Sequence, residues 1–499
     1  MPPLSPPRHR PALRPSFWTL TALAALTLSG CAALSSPGNN TASALPDTAT
    51  PAAWSAQAAS ALPASAAPAS PPPAATPGDW WQRFNDPLLS ALVAQTLSAN
   101  TDINAAQAAL QQARAQRDVS AAGLSPSINA SASAQRSKSG GSSASNSFQA
   151  GFDASWEPDV FGGKRSALRA TEADASAAAT NLAHVQVSLA AEAAVNYIEL
   201  RGLQARLVIA RSSLASQLET LQITRWRAQA GLVSSLDVEQ AVAASEQTSA
   251  QIPALQTSLA QSVSSLAVLT GQAPGALQAT LDTSPAHAVP QPAGDLALAF
   301  PADTLRQRPD VRSAEHRVSA ALARVAQADA ARYPSFSLSG SLGLQALTLG
   351  GLGSASLASA LLGGVSASLF DGGAAKAQLR AQQAALESAR ISYQATVLTA
   401  LKDVEDALIA LRNDRERLLR LKNAASAAAN ADQLARQRYA SGLIDFSAVL
   451  DTQRSLLSTQ DSVASTGASL SADHVRLYKA LGGGWTPEAP SASPASATP

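Results

Sequence analysis

The sequence predicts a mixed membrane α/β protein: short β-strands that complete a barrel only by joining strands of other copies, continued by very long coiled-coil helices, with an internal two-fold repeat. Three observations carry this. Lys164 to Ala230 and Lys376 to Ala440 contain no proline and are dense in Ala, Leu, Glu, Gln and Arg, the strong helix formers. Segments such as "FQAGFDASWE" alternate apolar and polar residues with period two. The order of these elements recurs about 210 residues later: "GLVSSLDVEQA" (Gly231 to Ala241) is answered by "GLIDFSAVLDT" (Gly442 to Thr452), "SPSINASAS" by "YPSFSLSGS", and "VFGGKRSALRA" by "LFDGGAAKAQLRA".

Taken in order, residues 1–30 have the layout of a secretory signal: Arg8, Arg10 and Arg14, an apolar run from Phe17 to Leu28, then small residues. The run is shorter than the roughly 20 residues a bilayer span needs. It ends at Leu28-Ser29-Gly30-Cys31, which holds the only cysteine of 499 residues, so no intramolecular disulfide is possible. This stretch resembles the lipobox of bacterial lipoproteins, in which the thiol, a better nucleophile than a hydroxyl, takes a diacylglycerol and becomes the first residue of the mature chain. Two or more acyl chains give lasting attachment to a membrane. Ala32 in place of an aspartate implies, by the same resemblance, sorting to the outer membrane. Residues 31–78 are rich in Ala, Ser, Pro and Thr and read as a tether too poor in apolar surface to fold. Residues 486–499 read the same way, as a disordered tail.

The first repeat spans 79–285 and the second 286–485, each expected as a helix, two barrel strands and a long helical hairpin. In "FQAGFDASWE" Phe148, Ala150, Phe152, Ala154 and Trp156 share one face; in "FSLSGSLGLQ" Phe336, Leu338, Leu342 and Leu344 do. "PSINASASAQ" and "LLGGVSASLF" are weaker candidates. Ten alternating residues fit a barrel strand between lipid and water, although a half-buried strand of a soluble sheet alternates too. Open edges are not tolerated in hydrocarbon, so four strands must be shared between chains. Two chains make eight strands, three make twelve and leave a lumen. Ser137 to Asn146 and Ala346 to Ser356 are expected as extracellular loops. Each long helix, about 100 Å at 1.5 Å per residue, ends at a glycine, Gly231 or Gly442, where a tip turn is expected before a second helix returns (about Ser234 to Thr270, Asp445 to Leu481). Leu401, Val404, Leu408, Leu411, Leu418 and Leu421 supply coiled-coil spacing.

Composition excludes other classes. Aromatic residues are 4% and formal net charge is +1, so no polyanion-binding surface is indicated and nucleic acid is not an expected partner. Of the five histidines, His9, His184, His287, His316 and His474, no two sit at metal-ligand spacing. "FGGKRS" lacks the spacing of a phosphate loop, and no Ser/His/Asp arrangement is readable. No enzyme, metal or cofactor is expected, apart from the covalent diacylglycerol and N-acyl chain on Cys31.

"WWQRFNDPLLSALVAQTLSANTDINAAQAAL", "SWEPDVFGGKRSALRA", "RQRPDVRSAEHRVSAALARVAQADAARYPSFSLSGSLG", "GLIDFSAVLDTQRSLLSTQ" and "LYKALGGGW" together resemble the outer-membrane factor (TolC-type) family, most closely its lipoprotein branch associated with resistance-nodulation-division efflux pumps. The resemblance runs from about Trp80 to Trp485. It implies a homotrimer with a twelve-stranded barrel, four strands per chain, and a helical tunnel crossing the periplasm to a periplasmic adaptor (membrane fusion protein) and an inner-membrane pump. It implies a passive exit duct for small molecules; a type I protein-secretion duct of the same family is the alternative, and a structural helical lipoprotein is the rival outside transport. It also implies a periplasmic gate. Asp451 matches a gate aspartate by its distance from Gly442, and the position of a second one holds Ala448, so one carboxylate ring is expected. Asp237 and Tyr439 match positions that in some relatives bond the two hairpins together, while an arginine that helps there is replaced by Ile444. Asp237 is also placed to form a capping box with Ser234, and Asp451 to lie on a solvated face.

Cys31→Ser is expected to abolish incorporation of labelled fatty acid and to impair cleavage after Gly30, while the strands still insert; lipid labelling that persists in this variant refutes the anchor.

Overall fold

The computed structural model describes residues 77–138, 140, 143–282, 289–292, 308–483 and 485. The expected signal 1–30, Cys31, the tether to residue 76, the boundary between the repeats at 285/286 and the tail 486–499 lie outside the described residues.

Both repeats are present and nearly equal. A 3₁₀ turn (Pro77–Phe84) leads into α1 (Pro87–Ala99), α2 (Thr101–Ala122), β1 (Ser127–Ser137), β2 (Ser145–Trp156), α3 (Gly163–Gln229), α4 (Ser235–Leu269) and the short α5 (Gln278–Asp282). The second repeat has α6 (Pro309–Ala330), β3 (Ser335–Ala346), β4 (Leu357–Ser366), α7 (Ala374–Ala440) and α8 (Phe446–Ala480). The long helices α3 and α7 have 67 residues each, α4 and α8 have 35 each, and α2 and α6 have 22 each.

Two expectations need correction. The first repeat opens with two helices rather than one, because Asn100 takes an extended conformation and its Oδ1 accepts from the Asp102 and Ile103 amides, ending α1 and capping α2 in one residue. The last strand is Leu357–Ser366, four residues earlier than "LLGGVSASLF". Its partner β3 stops at Ser335, paired with Ser366, and the preceding Pro334 has no N–H with which to extend the ladder.

The main core lies where the hairpins close at the ends of α4 and α8. Leu89, Val93, Ile103, Leu266 and Val475 are buried there around Tyr197, Ile198 and Leu200 of α3. The 3₁₀ turn is pinned into it by Trp80, stacked on Tyr478 at 5.3 Å between centroids. Asp86 serves twice: Oδ1 caps α1 through the Leu88 and Leu89 amides, and Oδ2 accepts from the Tyr197 hydroxyl at 2.8 Å. Burial, reinforced by the Asp86 bond, pushes the Tyr197 hydroxyl far above its usual pKa, so it stays a donor while accepting from Arg201 Nε at 2.9 Å.

Each repeat carries a clasp at the start of its 22-residue helix. In the first, Asn100 Nδ2 donates to the Leu269 carbonyl at the end of α4. The second places Arg308 at the corresponding point, donating to the Ala480 carbonyl at the end of α8 and to Asp310 and Asp403. Burial works to raise the Asp310 carboxyl, but the bonds and charge of Arg308 outweigh it and hold that pKa below the usual carboxylate range.

Gly202 lets α3 and α8 cross closely: a Cβ there lies 2.7 Å from the Ala468 Cβ. Gly202→Ala should lower the thermal unfolding midpoint of the detergent-solubilised protein, at a cost of about 1–3 kcal/mol, and Ala468→Gly in the same chain should restore most of it. A destabilisation that Ala468→Gly leaves untouched rules out this crossing as its source.

Candidate functional site

Two regions can build a conduit, the sheet and the far tip of the long helices. The sheet is antiparallel throughout, in the order β1-β2-β3-β4. Cross-strand partners in such a sheet share a face. Ala130 pairs with Phe152 and Phe152 with Leu342, while Ala154 lies opposite Ile128 and Gly340, and Gly340 opposite Leu361. One face therefore carries Ile128, Phe148, Phe152, Trp156, Leu338, Leu342, Leu361 and Val365 in register, with Ser359 and, at the strand ends, Arg136 and Asn146 as its polar members. The other is built from Ser127, Ser131, Gln149, Asp153, Ser155, Ser337, Ser339 and Ser341, with Leu362 the exception. Ser131 Oγ donates to Asp153 Oδ2 at 3.0 Å across that polar face. Phe152 is 57% and Leu361 78% exposed, so the apolar face has no cover among the described residues. Among the described residues, β1 and β4 each have one partner, and their outer edges are unpaired.

At the other end both helical hairpins turn in the same way. Gly231 (φ 73°) and Gly442 (φ 74°) adopt the left-handed conformation that favours glycine. The Leu232 amide donates to the Arg227 carbonyl at 2.8 Å and the Gly231 amide to Ala228 at 3.0 Å; Leu443 to Arg438 and Gly442 to Tyr439 repeat the pattern at 2.9 Å. These are paired Schellman ends, so the expected tip turns are in place. Leu221, Ala241 and Ala244 of the first hairpin pack with Ala435, Tyr439, Phe446, Val449 and Leu450 of the second.

The bond that joins the hairpins uses a residue the sequence did not single out. Arg227, in the last turn of α3, donates Nη1 to the Tyr439 carbonyl at 2.8 Å and Nη2 to the Ala440 carbonyl at 2.7 Å. Its guanidinium also stands 4.5 Å from the Tyr439 ring centroid. It thus satisfies two terminal carbonyls of α7, where the helix dipole favours a cation. The signal was present in the repeat, where "RWRAQAGL" faces "RQRYASGL", but a basic residue there is expected to serve its own helix.

Tyr439 is buried and its hydroxyl lies 3.5 Å from Thr224 Oγ1. Asp237 is not joined to Tyr439. Its Oδ2 accepts from the Ser234 amide at 2.9 Å and the Ser234 hydroxyl at 2.8 Å, a capping box at the start of α4. Ile444 packs partly buried against the tip cluster. Asp451 is exposed on α8, opposite the buried side formed by Val449, Leu450 and Gln453. Further up the seam, Gln453 Nε2 donates to Thr220 Oγ1 at 3.0 Å, and Arg206 forms a bidentate pair with Asp461 at 2.7 and 3.1 Å.

Among the described residues no group of three or more His, Cys, Asp or Glu is placed to hold a metal ion.

Comparison with known proteins bears on both regions. A family profile described as outer membrane efflux protein matches residues 92–272 and 300–483. The toluene efflux pump outer membrane protein TtgF of Pseudomonas putida is 32% identical over 416 residues, covering 82% of this chain and 85% of that one. The pyoverdine export outer membrane protein OpmQ of Pseudomonas aeruginosa is 30% identical over 426 residues, covering 81% and 87%. The solved structure of the outer-membrane channel OprN superposes with a TM-score of 0.78 at 36% identity, covering 88% of this chain and 99% of that one.

Arg227→Gln is expected to speed amide hydrogen exchange across residues 437–446 by roughly tenfold, the loss of a charge-assisted bond at a partly exposed site, while exchange at the strands is unchanged. Equal exchange in both proteins removes Arg227 from the closure of the tip.

Proposed function

The chain belongs to the outer membrane efflux protein family, and on that premise we propose that three copies close one twelve-stranded barrel in the outer membrane. Its lumen continues through the periplasmic helices as a passive exit duct for small molecules. The observation that carries this reading is the sheet, apolar on one face, hydroxyl-lined on the other, and open at both edges. Unpaired N–H and C=O groups cost several kcal/mol each in hydrocarbon, so β4 of one copy must meet β1 of the next. Eight strands fill their own interior, whereas twelve leave a passage.

The repeat supports the same ring. Within the chain α6 packs on both α3 and α7, and α2 packs along α3. Thr180 of α3 is buried at 7% exposure, while its counterpart on α7, Ile391, is 58% exposed. The bare side of α7 fits α2 of the neighbouring copy, which then does there what α6 does within the chain. Three chains give six such units.

We assign delivery into the duct to an inner-membrane resistance-nodulation-division pump acting through a periplasmic adaptor. Leu232, Leu236 and Leu443, 63–73% exposed at the tip turns, offer that adaptor an apolar surface. The names of the relatives, with toluene and pyoverdine as cargo, favour small molecules over protein export. Acylated Cys31 holds each copy to the outer membrane beside its barrel. Asp451 supplies one carboxylate per copy at the narrow end; three facing one another repel and attract cations. Asp237 supports the gate only through the start of α4, and Tyr439 through Arg227.

In planar bilayers the purified trimer should conduct weakly and be blocked by divalent cations. Asp451→Ala should raise conductance severalfold and weaken the block. Unchanged conductance and block remove Asp451 from the gate; no conductance from either the unmodified protein or Arg227→Gln overturns the duct itself.

A further inference from the structure

The polar face of the sheet is charged at one place. Among the residues of the four strands only Arg136 and Asp153 are ionisable. Arg136 pairs with Asn146 at the end of β1 and belongs to the apolar face, in step with Ile128, Ala130, Ala132 and Ala134. Asp153 pairs with Asn129 on one side and Ser341 on the other, and Ser341 with Ala360, so one rung of the polar face reads Asn129, Asp153, Ser341, Ala360. Every other polar-face position of β1, β2 and β3 is Ser, Asn, Gln or Gly. The face thus offers this carboxylate no lysine or arginine, and its Oδ2 accepts from Ser131 Oγ.

The next rung is nearly bare. Ser131, Gly151, Gly343 and Ala358 face one another there, and a Cβ at Gly151 lies 2.8 Å from the Leu342 carbonyl oxygen and 2.9 Å from Gly343 Cα. No side chain larger than serine therefore stands beside the carboxylate on that side. Asp153 is exposed, and its exposure does not depend on how copies assemble: β2 is flanked by β1 and β3 of its own chain, while other copies can add strands only at the outer edges of β1 and β4. It sits nearer the end of β2 that leads into α3 than the end that leads back to β1.

We propose that Asp153 is the charge-selecting residue of the barrel: three copies set one ring of carboxylates in an otherwise neutral, hydroxyl-lined passage, which favours cationic and neutral solutes over anionic ones. This rests on the reading of the sheet as one third of a barrel whose polar face lines the lumen. It gives the exit end of the duct a discrimination of its own, separate from Asp451 at the tip. Rings of acidic side chains select cations, and a wall backed by hydrocarbon focuses their field into the passage. The ring acts across a wide lumen only when salt is low, because screening reaches about 30 Å at 0.01 M ionic strength and about 3 Å at 1 M.

The test is the reversal potential of the full-length trimer in planar bilayers under potassium chloride gradients, near 0.01 M and near 1 M, with Asp451→Ala in every chain so that the tip ring is absent. At low salt the channel should pass potassium in preference to chloride by roughly threefold or more. Asp153→Asn should bring the ratio close to one, Asp153→Lys should reverse it, and Asp153→Glu should keep it. The exchange N129D/D153N returns the acid to the same rung and should restore the preference, which separates the charge from the bond to Ser131. Should Asp153→Asn fail to insert, Asp153→Ser, which continues the pattern of the face, is read in its place. No cation preference at low salt, a preference that survives removal of the acid, or one that the exchange does not restore overturns the assignment. Conductance separates the two readings: a conducting channel without cation preference rejects only the ring, and a channel that does not conduct rejects the barrel on which it rests.

Discussion

Two rows of unpaired backbone groups, along the outer edges of β1 and β4, set the terms for the rest of this chain. Water could satisfy them, but the apolar face beside them, from Ile128 to Val365, is suited to hydrocarbon, where nothing can. The edges must therefore be met by other copies, and a closed ring follows. Once the strands stand in a ring, the helices that continue them do too, and the long rods α3 and α7 become staves of one wall. α7 leaves Ile391, Leu398 and Leu419 exposed along its length, which neighbouring staves can cover.

The repeat makes that ring possible at low cost in sequence. Matching lengths in the two halves put every turn at the same height, and the Schellman ends at Gly231 and Gly442 finish the two hairpins level with each other. Where the halves differ, the difference is informative. Asn100 makes its clasp to the Leu269 carbonyl as a neutral amide, whereas Arg308 makes the same reach with a charge and needs Asp310 and Asp403 beside it. At the tip the asymmetry is sharper: Arg227 crosses to the carbonyls of α7, so the first hairpin holds the second and not the reverse.

Much of this was legible in the sequence because the signals are local. Glycine at a helix end, proline-free runs and strict alternation located both hairpins and three strands to within a few residues, and the capping box of Asp237 is written in four consecutive residues. What was not legible depends on distant partners. The end of β4 depends on where β3 begins, and "LLGGVSASLF" has no alternation strong enough to fix it alone. Asn100 reads as an ordinary helix residue until its side chain is seen turned onto the next two amides. Arg227 joins carbonyls more than 200 residues away, and nothing within its own helix distinguishes it from Arg438 at the matching position. Asp451 lies on an exposed face of α8, and the carboxylate ring proposed for it needs the other two chains.

The close crossing at Gly202 and Ala468 also has a mechanical meaning. With backbones in near contact, α3 and α8 are fixed there as by a pin, and from Gly202 to the end of α3 the arm, tied to the second hairpin by the Arg206, Thr220 and Arg227 bonds and the packing of the tip cluster, is about 40 Å long at 1.5 Å per residue. An arm of that length turns angle into distance: a tilt of about 10° at the pin displaces the tip by roughly 7 Å, well beyond the 2.7 and 2.8 Å reach of the Arg227 bonds there.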